Sequence, residues 1–319
     1  MSRAVIFGGA GFVGRHLTQE LLSQGHEEVL VADIATPLWD LPDGVRHVPC
    51  DVRRPIPEQI DRQHPLVFNL AAVHRTPGHP DHEYFETNKN GAENVVEYAR
   101  RCGVTRLWFT SSIAVYGPNE EPRTERSTLD PQSAYGRSKR LAEEIHDAWA
   151  HEEPGRKLVT VRPGTVFGPG EGGNFTRLAG ALRRRRFVYP GRLDTIKGCG
   201  YVTDLVKSLF FMEQFAEPSV IYNFGYANPP TIQEVCEAFC EVGGYPRPMG
   251  PVPLPILLTA AKVLSFVGAR SFDPERVMKL VRSTNIVPEL LVQKQFPYET
   301  DLREALRRWR DEPPVGEFV

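Results

Sequence analysis

Long apolar runs, a cysteine framework and an excess of either charge are all missing from this chain of 319 residues. Its most apolar stretch, Pro251 to Val267, is interrupted by prolines and by Lys262. That is too short and too broken for a membrane span, and it reads as a core or lid helix. Lysine plus arginine number 38 and aspartate plus glutamate 40, a net charge of −2. Such a balance removes the polyelectrolyte argument for nucleic acid as a partner. The block Arg183-Arg184-Arg185-Arg186 is a local exception, with two open readings: a solvated helix end, or a group near an anionic substrate. The five cysteines are odd in number and scattered. Cys236 and Cys240 lie one helical turn apart, but no histidine completes a metal set, so no metal is expected. Reduced, mostly buried thiols in a cytoplasmic protein are the fitting reading. Met1-Ser2-Arg3 leads straight into a strand, so no secretory leader is expected.

What is present is alternation. Short apolar runs at Ala4–Phe7, Val29–Ala32, Val45–Val48, Leu66–Leu70, Arg106–Thr110 and Leu158–Val161 predict strands. Helical periodicity predicts helices after the first run, over about Glu83–Arg101, and over Pro131–Glu153. Strands separated by helices imply right-handed crossovers and a parallel sheet, an α/β fold of the doubly wound kind. After Gly168 prolines and glycines thicken, and the helices Phe175–Arg184, Val202–Glu213, Ile232–Val242 and Leu302–Trp309 are separated by irregular chain. A first domain over 1–167 and a smaller, mostly helical lobe over 168–319 are expected, with about 200–225 returning to the first sheet through a strand at Val220–Phe224.

Two features in the first half carry chemistry. Gly8-Gly9-Ala10-Gly11-Phe12-Val13-Gly14 joins a predicted strand to a predicted helix. Glycines there let the backbone approach a pyrophosphate, which rests on the positive end of the helix. Asp33 closes the second strand, where a carboxylate accepts both hydroxyls of an adenosine ribose and repels a 2′-phosphate, favouring NAD over NADP. Asp51, after the third strand, is placed for the adenine amino group or is an ordinary turn aspartate.

The second feature is Tyr135-Gly136-Arg137-Ser138-Lys139, which sets a phenol and an ammonium on one helix face. A free phenol titrates near 10 and is a poor base at neutral pH. A neighbouring ammonium, together with the positive nicotinamide, is expected to lower that value, so that Tyr135 accepts a hydroxyl proton while a hydride leaves for the cofactor. Lys139 is also placed to hold the nicotinamide ribose. Phe109-Thr110-Ser111-Ser112 ends a strand at the carboxyl edge of the sheet, where open α/β folds bind ligands. Ser112 is the candidate to bond the substrate oxygen, with Ser111 as the alternative.

Together these residues resemble the extended short-chain dehydrogenase/reductase family, in particular its nucleotide-sugar epimerase and dehydratase branch. The likeness covers nearly the first 225 residues, through GGAGFVG, Asp33, Cys50-Asp51-Val52, Asn69-Leu70-Ala71-Ala72, Thr87-Asn88, SSIAVYG, YGRSK and RPGTVFGPG. The resemblance implies a Rossmann core, bound NAD, Ser112-Tyr135-Lys139 chemistry and a homodimer. It places cofactor contacts on Gly8, Gly11, Phe12, Val13, Asp33, Asp51, Val52, Leu70, Ala71, Ala72, Thr87, Tyr135, Lys139 and Pro163. For a substrate diphosphate it points to Thr165, where the family often has Asn, to Lys197, where it often has Arg, and to Asn174. The tail, Pro251 to Phe272, is more similar to the 3β-hydroxysteroid dehydrogenase branch.

Three functions are therefore weighed. The first is NAD-dependent epimerisation of a nucleotide sugar through a keto intermediate. The second is oxidation of an apolar, sterol-like alcohol, favoured by the tail. The third is a non-catalytic NAD-binding scaffold, against which the intact Ser112, Tyr135 and Lys139 argue. Within the sugar branch, dehydratases carry an Asp-Glu pair directly after the residue matching Ser112. Here Ile113 and Ala114 stand there, and neither supplies an acid or a base.

Overall fold

The computed structural model describes residues 3–63, 65–75, 78–259, 278 and 280–319. The apolar stretch is thus described only as far as Thr259, and its remainder to Phe272 lies outside the described residues. The chain divides into two compact units. One comprises Met1–Gly117, Ser127–Pro163 and Val202–Asn223; the other comprises Pro118–Arg126, Gly164–Tyr201 and Phe224–Val319.

The first unit alternates β1 (Arg3–Phe7), α1 (Phe12–Ser23), β2 (Glu28–Asp33), β3 (Val45–Pro49) and β4 (Leu66–Asn69). It continues through α2 (Asp81–Tyr84), a π-helical turn Phe85–Asn90, α3 (Gly91–Arg101), β5 (Arg106–Thr110), α4 (Ala134–Glu152), β7 (Lys157–Pro163), α6 (Val202–Glu213) and β11 (Ser219–Phe224). The seven strands form one parallel sheet in the order β11-β7-β5-β4-β1-β2-β3. Helices cover both faces of such a sheet, which is why its strands read as near-continuous apolar runs. Val5, Ile6 and Phe7 of β1 and Val29 to Ala32 of β2 are all buried.

On one face Tyr98 of α3 meets Phe7 edge-on at 5.3 Å, and Val95, Ala99 and Trp149 complete the packing. On the other, Trp108 stacks on Phe68 at 4.4 Å and its indole N–H donates to the Leu209 carbonyl of α6 at 3.2 Å. Chain order reverses between β1 and β4, so the loops after these strands splay apart and leave a crevice at their carboxyl ends. The helix expected over Glu83–Arg101 contains the π-helical turn; the extra residue in that turn carries Asn88 into the interior.

The second unit packs α5 (Asn174–Arg183), α7 (Ile232–Gly243) and the helix Leu302–Asp311 around Phe167, Phe175, Phe239 and Trp309. Thr231 and Glu234 form a reciprocal capping box at the start of α7. Three strand pairs, absent from the sequence expectation, complete it. They are β6 (Asn119–Arg123) with β13 (Thr284–Ile286), β8 (Thr165–Phe167) with β10 (Cys199–Tyr201), and β9 (Val188–Pro190) with β12 (Met249–Val252).

Candidate active site

The glycine loop is shaped by its packing. Gly8 has φ +75°, and a Cβ there would stand 2.6 Å from the backbone of Ala71; a Cβ on Gly14 would run into the Gly9 carbonyl. Gly11 differs, because a Cβ on it would meet only the Gly8 carbonyl, at 3.6 Å. Packing does not demand glycine at position 11, so the space beside it is available to a ligand. The first turn of α1 has no capping side chain and no acidic residue, which leaves its N–H groups for an anion. These features fit a dinucleotide pyrophosphate. Asp33 accepts from Ala10 N at 3.0 Å and from Ala35 N at 2.9 Å, which turns its carboxylate toward the loop.

The other proposed cofactor positions lie around this crevice. Leu70, Ala71 and Ala72 follow β4 and are half-buried, with Leu70 N bonded to the Phe7 carbonyl at 2.8 Å. Val52 is buried and its carbonyl accepts from Asn94 at 2.8 Å; Thr87 lies in the π-helical turn, and Pro163 ends β7. Phe12 and Val13 open α1, with the Phe12 ring edge-on to His16 at 5.4 Å. Asp51 is engaged by Arg53, whose guanidinium donates to both carboxylate oxygens at 2.8 Å. The pair lines a polar pocket with Arg54, Glu86 and Asn90, and holds the Asp51 carboxyl below its ordinary value.

Ser112, Tyr135 and Lys139 meet at the end of β5. Ser112 caps the short turn Ile113–Val115, accepting from Ala114 N at 3.2 Å. Tyr135, in the first turn of α4, has the Ser112 hydroxyl as a neighbour that favours its ionised form. Lys139 is buried; its ammonium donates to the Thr110 carbonyl at 2.8 Å and lies 4.9 Å from the Phe109 ring centre. The expected lowering of the phenol pKa is reversed in the protein alone. Burial raises the Tyr135 value and nearby Tyr84 adds to the rise, against which the Ser112 hydroxyl works. The ammonium is itself lowered, to about 7, by burial, with Glu143 opposing.

In the second unit, Thr165 is fixed on β8, with its N–H donating to the Gly198 carbonyl at 2.8 Å. Asn174 opens α5 and accepts from Arg177 at 2.9 Å, while Glu171 caps the helix through Thr176 N at 3.0 Å. Lys197 donates to the Arg282 carbonyl at 3.0 Å, and burial lowers its ammonium to about 8 despite Glu120 nearby. Arg183 to Arg186 are all exposed, and Arg183 pairs with Glu317 at 3.3 Å, which matches the reading as a solvated helix end. Among the described residues no group of three His, Cys, Asp or Glu could hold a metal ion. No helix of the described residues is long and apolar enough to cross a membrane.

A family model described as the NAD dependent epimerase/dehydratase family matches residues 4–225. The chain belongs to that family. Over 160 residues it is 33% identical to the N-acetyl-alpha-D-glucosaminyl-diphospho-ditrans,octacis-undecaprenol 4-epimerase of Escherichia coli, a match covering 50% of this chain and 48% of that protein. The matched segment is thus about half the length of that relative. Over 329 residues the chain is 25% identical to UDP-glucuronic acid decarboxylase 1 of Xenopus tropicalis, covering 97% and 72% of the two proteins. Among solved structures, the UDP-glucose 4-epimerase of Thermus thermophilus in complex with NAD is 27% identical, with a TM-score of 0.73 over 97% of this chain and 98% of that one.

For this member of the NAD dependent epimerase/dehydratase family, the structure adds residues that motif reading left without a role. Glu143 accepts from Ser111 Oγ at 2.5 Å and from Arg162 Nε and Nη2 at 2.8 and 2.6 Å. Arg162 in turn donates to the Tyr116 hydroxyl at 2.8 Å, which donates to Asn223 at 2.9 Å. Tyr135, Lys139 and Glu143 stand on successive turns of α4, and the last two are fastened to Thr110 and Ser111. On the adjoining face Asn88 donates to Ser138 Oγ at 2.9 Å and brackets both backbone groups of Val73. The spacing of four from Lys139 to Glu143 was the available signal, but it names no partner.

Proposed function

We propose that the protein is an NAD-dependent epimerase acting on a nucleotide sugar. The observation that carries this reading is the seat of Ser112, Tyr135 and Lys139 at the β5 end, followed by Ile113 and Ala114. Ser112 bonds the reacting oxygen, Tyr135 takes and returns its proton, and Lys139 holds charge beside them. NAD held in the crevice would supply a hydride acceptor for a carbinol and a donor for return of the hydride to the opposite face. Ile113 and Ala114 offer neither acid nor base to expel a neighbouring hydroxyl, which disfavours dehydration. Lys197, Asn174 and Thr165 of the second unit are assigned to the substrate diphosphate. A homodimer through α3 and α4 belongs to the same proposal and is checked by sedimentation.

The test incubates the protein with UDP-glucose, UDP-N-acetylglucosamine and UDP-glucuronate while following product mass and reduced-cofactor absorbance. An isobaric product with flat absorbance supports epimerisation. A product lighter by one water or one carbon dioxide, or accumulation of reduced cofactor, overturns it.

A second reading keeps the chemistry and changes the carrier to a polyprenyl diphosphate, the carrier named for the Escherichia coli relative. It is favoured by Met249 and Ile256, which are 76% and 60% exposed in a proline-spaced apolar segment. The sterol-like alternative leans on the same tail, most of which lies outside the described residues.

A further inference from the structure

Three of the four tryptophans, Trp108, Trp149 and Trp309, are fully buried. Trp39 is half-buried, in the loop between β2 and β3, and its indole N–H donates to the Ala10 carbonyl at 3.3 Å. The N–H of the same Ala10 donates to Asp33 at 3.0 Å. Carboxylate and indole therefore take the two backbone polar groups of one glycine-loop residue, and both stand beside the same short stretch of chain. The loop that carries Trp39 also leaves Ile34 69% exposed and Leu38 fully exposed, directly after Asp33. Apolar side chains left in water next to a nucleotide cradle gain burial when a nucleoside arrives.

We propose that Trp39 is a wall of the adenosine site and shares with Asp33 the rejection of a 2′-phosphorylated ribose. Asp33 acts on such a ribose by charge repulsion. Trp39 acts by occupying the space beside the carboxylate into which a 2′-phosphate would project. The inference rests on the family's cofactor and not on the reaction assigned to the substrate.

The experiment titrates the full chain with NAD and with NADP, following tryptophan emission and, in parallel, heat by calorimetry. NAD is expected to change the emission of the wild type, because the remaining three indoles are sealed in the two cores. Trp39→Phe should abolish that change while calorimetry still records NAD binding. Trp39→Ala should weaken NAD by about tenfold, the scale of losing one aromatic contact to a nucleoside. Adding Trp39→Ala to Asp33→Ala should admit NADP more readily than Asp33→Ala alone. An emission change that survives Trp39→Phe, or wild-type NAD affinity in Trp39→Ala, overturns the proposal. Because Trp39→Phe keeps an aromatic ring and loses only the bond to Ala10, a role confined to anchoring the loop would weaken NAD equally in both variants. That outcome also overturns it.

Discussion

Lys139 donates its ammonium to the carbonyl of Thr110 at 2.8 Å from a fully enclosed position. The bond ties the last residue of the Tyr135–Lys139 motif to the last residue of β5, two positions before Ser112. A lysine held in this way has two tasks, one mechanical and one electrostatic. The phenol has one.

Tyr135→Phe should therefore lower turnover by roughly 10²–10⁴, the usual contribution of a positioned acid or base, while NAD affinity stays near wild type. Lys139→Ala should reduce both. Turnover with the sugar nucleotide that proves active, and calorimetric titration with NAD, separate the two outcomes. A Tyr135→Phe variant retaining more than about a tenth of the rate would mean another group moves the proton.

Glu143 and Arg162 are each about nineteen-twentieths enclosed, and their ion pair has a closest approach of 2.6 Å. Removing one partner leaves a buried charge without its counterpart. Glu143→Gln should cost roughly 3–5 kcal/mol of unfolding free energy, and a Glu143→Leu, Arg162→Met double variant should recover part of that loss. Urea denaturation of the three proteins measures it. If the double variant is no better than the single, the pair's hydrogen bonds to Ser111 and Tyr116 matter more than its charge.

How much of this was legible beforehand follows from the length scale of each feature. The glycine loop, Asp33 and the Tyr135–Lys139 spacing are local patterns, readable because their chemistry depends on neighbours within a few residues. The parallel sheet was legible for a similar reason, since buried strands such as Ala4–Phe7 must be apolar throughout. Glu143 gave no such signal: its partners Ser111 and Arg162 lie 32 and 19 residues away. The short strands of the second unit were missed because three to five residues show little period, and because β6 pairs with a segment as distant as Thr284–Ile286. The phenol's expected lowering counted on the ammonium and the positive nicotinamide together, and only the ammonium belongs to the chain. Burial raises its pKa, and the ammonium expected to offset that is directed at Thr110.

His146 offers a prediction about acid stability. It is fully buried and stacked on Phe109 at 4.2 Å. One ring nitrogen lies 2.7 Å from the Ala142 carbonyl and the other 3.2 Å from the Asn69 amide. Burial lowers its pKa to about 4, and the charge of Lys139 acts in the same direction. As pH falls below about 6.5, the unfolded chain binds a proton that the folded ring refuses until about 4. Stability is thus present above that window and lost within it, by about 3 kcal/mol from this group. His146→Gln should flatten the fall of unfolding free energy between pH 6.5 and 4, seen by denaturant titration at stepped pH. An unchanged slope would show that other groups carry the acid transition.

The last prediction concerns Lys197 and asks whether it meets an anion. Its ammonium is bonded to the Arg282 carbonyl, and burial brings its pKa down to about 8, with Arg192 adding to the lowering and Glu120 opposing it. A half-buried ammonium that is easily discharged is a poor structural ion but a usable phosphate contact, since an incoming diphosphate would stabilise its charged form. UDP serves as the probe, because it carries the diphosphate without a sugar. Its affinity should fall as pH rises through about 8, where the free protein loses the charge. Lys197→Arg, whose guanidinium stays charged at every pH in the range, should bind UDP with little dependence on pH. Lys197→Ala should weaken UDP at neutral pH and converge on the wild type at higher pH, while NAD affinity is unchanged in both variants. Calorimetric titrations with UDP on either side of pH 8 decide it. A wild type whose UDP affinity is flat across that range, or a Lys197→Ala variant that binds UDP as well as the wild type, would remove Lys197 from the substrate site and leave Asn174 and Thr165 to account for the diphosphate.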